Sequence, residues 1–128
     1  MKRDLFVQMN HGVTELKSVI RRSGNKISFS QKKDFERFVK NMEILNTIKS
    51  STPRSIYALA KVEKKDVANI AKVVSFYEKL GVLRIKLSLV RGRKVKTPFV
   101  EYDQIIFELH GRVKASSGKA VLGLVRRR

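Results

Sequence analysis

Residues 65–100 read KDVANIAKVVSFYEKLGVLRIKLSLVRGRKVKTPFV, and this stretch decides the predicted fold. Its first half carries apolar residues every three or four positions, at Val67, Ile70, Val74 and Tyr77. This spacing places them on one face of a helix, and Leu80 is the last apolar residue of that face. Glycine favours the position just after a helix, so the pattern predicts a helix from residue 65 or 66 to residue 80, ended by Gly81.

The second half of this stretch changes to the period of two that is typical of strands. Residues 82–90 and 95–100 are rich in branched side chains, and the sequence RGRK at 91–94 separates them. Two such segments around a short basic turn predict a β-hairpin. Pro98 cannot donate a backbone hydrogen bond, which predicts an edge or a bulge in the second strand.

Upstream of this stretch the helical period recurs. Residues 33–49 predict one long helix or two abutting helices. A break is expected over residues 50–54, because Pro53 disfavours a helical conformation at the residue before it. Ser55 is a suitable N-cap for a short helix over residues 56–62, and residues 63–65 then form a tight connection to the long helix.

The order of these elements is typical of a winged helix-turn-helix: a helix, a short helix, a tight connection, a longer helix and a basic hairpin. We therefore predict an α+β fold with a helical core, a β-hairpin wing and an extra N-terminal helix. Alternation at Ile105, Phe107 and Leu109 predicts one more strand. The expected regions are 1–30 (helix and connector), 31–110 (DNA-binding domain) and 111–128 (a basic, mostly flexible tail).

The N-terminal segment carries an apolar stripe at spacings of three and four, formed by Phe6, Met9, Val13, Leu16 and Ile20. This stripe predicts a helix over residues 3–22, ended by turn residues at 23–25. It either packs on its own domain or forms a dimer interface with a second copy, and the sequence leaves both open. Residues 27–29 then predict a short strand.

The charge balance points to a polyanionic partner. Lys and Arg number 29 against 11 Asp and Glu, a formal net charge of +18 in 128 residues. Nucleic acid is the first partner to expect and an acidic membrane surface the second. Cysteine is absent, and no apolar run approaches the roughly 18 residues that span a bilayer. We expect a cytoplasmic, nucleoid-associated homodimer that binds double-stranded DNA and no membrane.

Cations concentrate at the predicted hairpin, because the segment from Lys79 to Val100 contains no acidic residue. Such a cluster suits phosphate neutralisation, and a solvated edge strand protected by positive charge is the alternative. The predicted contacts to the DNA backbone are Lys64, Lys65, Arg54, Ser55, Arg84, Arg91, Arg93, Lys94 and Lys96. For the two lysines at the start of the long helix, the reason is that a helix N-terminus favours anions.

The predicted contacts to base edges lie on the long helix, opposite its apolar face. They are Ala68, Asn69, Lys72, Ser75 and Phe76. Asn69 can pair with adenine through two hydrogen bonds, and Lys72 can reach guanine or a phosphate. The alternative is that these are ordinary solvated residues of an exposed helical face.

The sequence offers no set of residues for catalysis or metal binding. His11 and His110 are its two histidines and lie in separate predicted elements, and the carboxylates are scattered. Glycine-rich phosphate loops of the GxxxxGK[ST] and GxGxxG types are absent. We therefore expect a protein that is not an enzyme and that uses no metal and no cofactor.

Residues 45–109 resemble small winged helix-turn-helix transcriptional regulators of bacteria and archaea, akin to MarR- and ArsR-like proteins. The resemblance is carried by residues 53–60 (PRSIYALA), 65–70 (KDVANI), 77–83 (YEKLGVL) and 93–105 (RKVKTPFVEYDQI). It implies transcriptional regulation through DNA binding, and some such regulators act on toxin–antitoxin or mobile-element genes. Ala71 and Val73 depart from the pattern, which carries polar or acidic residues there.

Two other functions fit the same composition. An architectural protein that coats DNA would use the charge and the tail for affinity without reading sequence. An RNA-binding or ribosome-associated protein would stack bases on exposed aromatic rings, for which Phe76 and Phe99 are the candidates. The DNA-binding regulator remains the favoured prediction, because the cations concentrate beside the predicted recognition helix.

Overall fold

The structure of the protein is a computed structural model, and it describes residues 3–9 and 20–108. These residues form six strands and four helices, so the predicted α+β class is confirmed. The elements in chain order are β1 (Asp4–Met9), β2 (Ile20–Ser23), β3 (Lys26–Phe29), α1 (Lys32–Lys40), α2 (Glu43–Ser51), α3 (Ile56–Glu63), α4 (Val67–Lys79), β4 (Arg84–Val90), β5 (Arg93–Phe99) and β6 (Gln104–Glu108). None of the described helices is long and apolar enough to cross a membrane.

Four strands form one sheet in the order β2-β3-β1-β6. β1 pairs in parallel with β3 on one side and with β6 on the other, and β2 pairs antiparallel with β3. One face of this sheet carries Leu5, Val7, Ile27 and Phe29, which are fully buried in the same core as the helices. Burial of a side chain of this size contributes about 1.5–3 kcal/mol to stability. The N-terminal strand is therefore part of the main core.

The helix predicted over residues 3–22 is wrong where the structure describes this segment. Residues 4–9 form β1 and residues 20–23 form β2. The prediction followed the apolar spacing of Phe6 and Met9 and passed over Leu5 and Val7, which alternate with the period of a strand. Strand pairing on both sides of β1 satisfies its backbone groups, and that tertiary contact overrides the helical spacing.

The apolar stripe predicted as a dimer interface is not formed by its described members. Phe6 pairs with Ile106 on the outer face of the sheet, whereas Met9 and Ile20 pack against the core. Val13 and Leu16 lie outside the described residues, as does the predicted tail at 111–128. A strand places alternate residues on opposite faces, so residues three apart cannot share one seam here.

Aromatic packing fixes α1 against α4 and the sheet. The Phe38 ring on α1 meets the Tyr77 ring on α4 edge-on, with 5.2 Å between centroids, and meets Phe29 at 5.7 Å. The Tyr77 hydroxyl donates a hydrogen bond to the Phe38 carbonyl oxygen at 2.5 Å. Burial raises the pKa of this hydroxyl above its ordinary value, so it remains a protonated donor at neutral pH.

The predicted helical region at 33–49 consists of two abutting helices, α1 and α2, which meet at Asn41 and Met42. The Asn41 side-chain amide donates to the Arg37 carbonyl at 2.9 Å and satisfies an acceptor at the end of α1. The short helix α3 begins where predicted, because Ser55 Oγ accepts from the Ala58 backbone N–H at 3.0 Å. Lys64 then adopts the left-handed conformation (φ 59°) and turns the chain towards α4.

The ends of α4 also follow local signals in the sequence. The Asp66 carboxylate accepts from the backbone N–H groups of Ala68 and Asn69 at its start. Gly81 ends it with φ +75°, and a Cβ at this position would lie 2.8 Å from Arg22 Nη1. Val67, predicted on the buried face, is instead 39% exposed.

β4 and β5 form the predicted hairpin as a separate two-stranded sheet. Its turn is Arg91 and Gly92, both with positive φ (52° and 79°), which is the two-residue geometry favoured in hairpins. The turn is shorter than the predicted linker, since Arg93 and Lys94 already belong to β5. The register runs without interruption through Pro98, which pairs with Ile85, so this proline sits on an edge strand and not at a bulge.

A cluster of polar side chains ties β1 and β2 to the helices, and we call it the joint: Arg3, Arg22, Lys49, Glu101, Tyr102 and Asp103. The Arg22 guanidinium donates to the Leu80 carbonyl and to the Tyr102 hydroxyl. This one side chain therefore connects β2, the end of α4 and the segment that precedes β6.

Ion pairs complete the joint. The Arg3 backbone N–H donates to one Asp103 oxygen at 2.8 Å, and Lys49 Nζ donates to the other at 3.1 Å. These two hydrogen bonds, the backbone one first, lower the pKa of Asp103. Glu101 accepts from Arg3 at 3.1 Å and lies 3.3 Å from Arg84 at the base of the hairpin. The joint thus fixes the hairpin base as well as the N-terminal strand.

Candidate nucleic-acid interface

α4 presents a solvent-facing ridge on the side opposite its buried residues. The ridge residues follow one another at spacings of four, three and four, and they are Ala68, Lys72, Ser75 and Lys79. Ala68, Lys72 and Lys79 are exposed and Ser75 is half-buried. Glu78 is the only carboxylate within α4, and it lies towards the hairpin instead of on the ridge. The ridge therefore offers two cations and two small side chains to a ligand.

The hairpin borders one side of this ridge. A groove between them is lined by Ala71, Ser75 and Glu78 from α4 and by Ile85, Leu87 and Lys96 from the hairpin. The Thr97 hydroxyl donates to the Arg54 carbonyl at 2.6 Å and fixes β5 to the residue before the α3 cap. Ser75 of the ridge and Lys96 of the hairpin consequently face the same groove.

α1 borders the other side of α4. Arg37 and Lys40 from α1 line a cleft together with Lys65, Asn69 and Lys72. Two carboxylates, Glu43 and Glu63, also line this cleft, and Glu63 accepts a hydrogen bond from the Thr47 hydroxyl at 2.6 Å. The positive charge on this flank is therefore partly offset by two carboxylates, whereas one carboxylate, Glu78, lines the groove on the hairpin side.

Arg37 and Lys40 are not among the contacts predicted from the sequence. Their spacing of three on a predicted helix places both on one face, and this was the available signal. Their position beside α4 depends on the packing of Phe38 between them against Tyr77, which no local pattern reveals. Sequence reasoning could find the pair of cations but not the helix that they adjoin.

The five predicted base contacts differ in their exposure. Ala68, Asn69 and Lys72 are exposed, and Ser75 is half-buried at the hairpin groove. Phe76 was expected to offer an exposed ring, and this is wrong. It packs against the core, and the Arg37 guanidinium lies over its ring at 4.4 Å from the centroid.

Phe99, the second aromatic considered for base stacking, is also half-buried. Neither of the two candidate rings is thus presented as an open stacking platform. Stacking on aromatic side chains is the usual mode of single-stranded RNA recognition. The packing of Phe76 and Phe99 therefore supplies no such platform at this surface.

The predicted backbone contacts divide into two groups. Arg91, Arg93, Lys94 and Lys96 are exposed on the hairpin, and no carboxylate in residues 3–9 and 20–108 forms an ion pair with any of them. Arg84, in contrast, lies at the hairpin base beside Glu101. Cations without protein partners are available for phosphates, whereas Arg84 already has an anionic neighbour.

The remaining predicted backbone contacts lie around α3. Arg54 is exposed next to the hairpin, and Ser55 is half-buried as the α3 cap. Lys64 and Lys65 are exposed in the turn between α3 and α4. The Asp66 carboxylate accepts from two of the N-terminal N–H groups of α4, those of Ala68 and Asn69, so these two are not free for a phosphate. A phosphate contact there would depend mainly on the lysine charges.

Among the described residues, no group of three or more His, Cys, Asp and Glu side chains could hold a metal ion. His11 and His110 lie outside the described residues. What the surface offers is charge and hydrogen-bond donors, carried by α4 and by the elements on both of its flanks. Such a surface can bind an extended anion by Coulomb attraction and by hydrogen bonding.

Comparison with known proteins identifies a family. The family model HVO_A0114 matches residues 39–107, which run from the end of α1 into β6. The matched segment covers more than half of the 128 residues and includes α4 and the whole hairpin, whereas β1, β2 and β3 precede it. No curated protein matches the chain. By the extent of this match, the chain belongs to the HVO_A0114 family.

Proposed function

We propose that this protein is a DNA-binding transcriptional regulator of the winged helix-turn-helix class. In this proposal α4 enters the major groove, and the hairpin is the wing that binds the flanking backbone. The observation that carries the proposal is the position of the basic hairpin beside α4: Ser75 of the ridge and Lys96 of the hairpin line one groove, which the Glu78 carboxylate also lines. A surface with both features side by side suits a rod of negative charge with readable grooves.

The dimensions of α4 suit the major groove. Its 13 residues extend about 20 Å at the helical rise. The major groove of B-DNA is about 12 Å wide and admits one helix. Ala68 and Ser75 are small enough to allow close approach to base edges. In the proposal Asn69 reads an adenine and Lys72 contacts a guanine or a phosphate.

The flanks of α4 supply the sequence-independent part of the affinity. Arg91, Arg93, Lys94 and Lys96 neutralise phosphates on the hairpin side, and Arg37 with Lys40 can do so on the α1 side. Each neutralised phosphate makes the logarithm of the binding constant fall by about 0.9 per decade of salt. Contacts on both flanks would hold α4 in register between the two strands of the duplex.

The proposal extends to a cytoplasmic, nucleoid-associated homodimer. Two copies would read two half-sites about 34–36 Å apart, one helical turn of DNA. Sedimentation of the free protein and of its complex with a two-site duplex tests this part separately. A single copy bound to each duplex would contradict the homodimer part of the proposal but not the DNA-binding part.

A selection from a random duplex library, at a stated salt concentration, tests the proposed function. A sequence-reading regulator retains one class of duplex with an affinity at least about a hundredfold above that of random DNA. Equal affinity for all duplexes with a steep salt slope would instead indicate an architectural coating protein. Structured RNA competes in a parallel arm, and its stronger retention would contradict the proposal.

A further inference from the structure

One edge of β4 has no strand beside it in the part of the chain that the structure describes. β4 pairs with β5 alone, and the register of this pairing is uninterrupted over all seven residues of β4. β5 carries Pro98 and contacts α2 and α3, and the Thr97 hydroxyl donates to the Arg54 carbonyl at 2.6 Å. β4 contains no proline, so its free edge presents backbone donors and acceptors that a further strand can bind.

β4 also carries large apolar side chains that its own domain leaves exposed. Ile85, Leu87 and Leu89 share one face of the strand, because alternate residues of a strand point the same way. Ile85 is half-buried against the core, whereas Leu87 is 64% exposed and Leu89 is 72% exposed. Val90, on the other face, is 51% exposed. An open strand edge with exposed apolar side chains is a template for pairing with another chain.

The charges around the leucine face belong to neighbouring elements. Lys96 and Lys94 on β5 are the cross-strand partners of Leu87 and Leu89. The Glu78 carboxylate of α4 lines the same groove as Leu87 and Lys96, and it offsets part of this positive charge. Neither lysine lies at the free edge, since β5 borders the opposite edge of β4.

We infer that β4 pairs antiparallel with β4 of a second copy, with Leu87 on the two-fold axis. The two hairpins then form one four-stranded sheet in which the two β4 strands are central and the two β5 strands are outermost. The inference rests on the homodimer part of the proposed function and names its interface. It replaces the N-terminal apolar stripe, whose described members do not form a common surface.

The sequence of β4 is complementary to itself in this register. A two-fold interface joins the same surface of both copies, so each residue must suit the residue that the symmetry places opposite it. With the axis at Leu87, the middle residue of β4, all seven residues are paired and no two charges of the same sign are directly opposed. The opposed pairs, one member from each copy, are Leu87 with Leu87, Ile85 with Leu89, Lys86 with Ser88, and Arg84 with Val90.

The neighbouring registers are poorer. An axis at residue 86 would place Lys86 opposite its own copy, and like charges directly opposite one another destabilise a strand pair. An axis at residue 88 would pair only residues 86–90 and leave Ile85 without a strand partner in the second copy. Charge and strand length therefore both select the register that is centred on Leu87.

This arrangement also keeps the remaining cations apart. The two Lys86 residues lie diagonally across the strand pair, with Cα atoms about 8 Å apart, and the two Lys96 residues are separated by three strand spacings, about 14 Å. The Debye length is about 8 Å at physiological ionic strength, so these repulsions are largely screened. The hairpin turn and the outer edge of β5 remain uncovered, which leaves Arg91 and Arg93 accessible to phosphates.

A single-cysteine variant tests the register, because the chain itself contains no cysteine. In Leu87→Cys the two Cα atoms would be directly opposite, about 4.5–5.5 Å apart, which is within the range of about 4.4–6.8 Å that a disulfide requires. The matched control is Leu89→Cys on the same face of the same strand. Its Cα atoms would be about 14 Å apart, because each residue 89 is opposite residue 85 of the other copy.

Under mild oxidation the full-length Leu87→Cys protein should become a disulfide-linked dimer, at a rate at least about tenfold above that of Leu89→Cys. Unchanged thermal unfolding of both reduced variants verifies that each is folded. Equal rates for the two variants would indicate random collision of exposed thiols and would overturn the inference. Faster linkage of Leu89→Cys would overturn it as well.

Sedimentation of the free protein tests the interface without cysteine chemistry. The wild type should dimerise with rising concentration, and salt should strengthen the dimer because it screens the repulsion between two basic copies. Leu87→Lys places like charges on the axis and should raise the dissociation constant of the dimer at least about tenfold. The control Val39→Lys changes an exposed apolar residue (42%) on α1 and should leave the dimer intact.

A wild type that is monomeric up to about 100 µM would overturn the inference. So would an equally tight dimer in Leu87→Lys. DNA titrations separate these outcomes from failure of the proposed function, because salt weakens DNA binding and strengthens this dimer. A protein that binds duplexes without preferential linkage of Leu87→Cys overturns the interface alone. A Leu87-centred dimer that binds no duplex overturns the DNA-binding function and leaves the interface standing.

Discussion

The joint and the hairpin are both rich in cations, but they use them differently. In the joint, Arg3 and Lys49 are paired with Glu101 and Asp103, and Arg22 donates to protein oxygens. On the hairpin, Arg91, Arg93, Lys94 and Lys96 have no ion pair within the described part of the chain. Positive charge thus fixes the structure in one region and remains available to a ligand in the other.

The difference teaches that net charge alone does not locate a binding surface. A surface ion pair contributes about 0–1 kcal/mol, so the joint gains modest stability from its cations. The hairpin gains no stability from four adjacent cations, which repel one another. A region that keeps such charges without partners is the better candidate for an external anion. Variants in the two regions should therefore separate stability from binding.

The largest expected effect is a loss of folding stability in a core variant. Phe29→Ala should lower the free energy of unfolding by about 3–5 kcal/mol, because it leaves a cavity beside the Phe35 and Phe38 rings. Denaturant titration measures the loss. The fraction that remains folded should bind DNA with an unchanged salt slope, since no hairpin cation is altered. A changed slope would show that the two regions are coupled.

The next largest expected effect is a loss of DNA affinity in a hairpin variant. Arg91→Ala with Arg93→Ala should weaken binding to every duplex by up to about sixtyfold near 0.1 M salt and make the salt slope shallower by up to about 1.8. Thermal stability should not fall, as both side chains are exposed. The charge-matched control is Lys32→Ala with Lys33→Ala on α1. Equal losses of affinity for both pairs of substitutions would show that the hairpin does not contact the DNA.

A smaller and more selective effect is expected on α4. Asn69→Ala should cost about 1–3 kcal/mol on a preferred duplex and relax the preference at one base position. Random duplexes should be bound as before, because the phosphate contacts remain. Binding titrations with the preferred duplex and its single-base variants measure this. Equal losses on preferred and random DNA would exclude readout by Asn69.

The smallest effect probes the joint through pH. Asp103 has a folded-state pKa below its ordinary value of 3.8, so its carboxylate stabilises the fold at pH values above 3.8. This stabilisation is lost as pH falls through the lowered pKa. Asp103→Asn should therefore lower the melting temperature at pH 7, and the difference should shrink in strong acid. A difference that is constant across this range would show that ionisation of Asp103 is unimportant.

The sequence predicted the elements whose signals are local. α3, α4 and the hairpin were placed within a few residues, because Ser55, Gly81 and the alternation on β4 act within their own segments. β1 was mistaken for a helix, since its pairing partners lie about twenty and a hundred residues away in the chain. Spacing within a segment carries no information about such distant partners.

In the candidate site, too, the features set by local sequence were predicted, and those set by distant contacts were not. The exposed cations of the hairpin and the exposure of Asn69 follow from the local pattern, and the structure agrees with both. Phe76 was misplaced, since the Arg37 guanidinium that covers its ring comes from α1. The pairing of Arg84 with Glu101 was equally out of reach, because it depends on how the chain returns from the hairpin to the joint.

The position of β1 has a consequence for synthesis of the chain. Among the described elements β1 is made first, yet one of its two partner strands, β6, ends at residue 108. During translation one edge of β1 must wait, with its hydrogen-bonding groups open, until almost all of the described chain has left the ribosome. Contacts between such distant segments slow folding, and open strand edges favour aggregation. This topology therefore leaves β1 open to aggregation during most of the synthesis of the described chain.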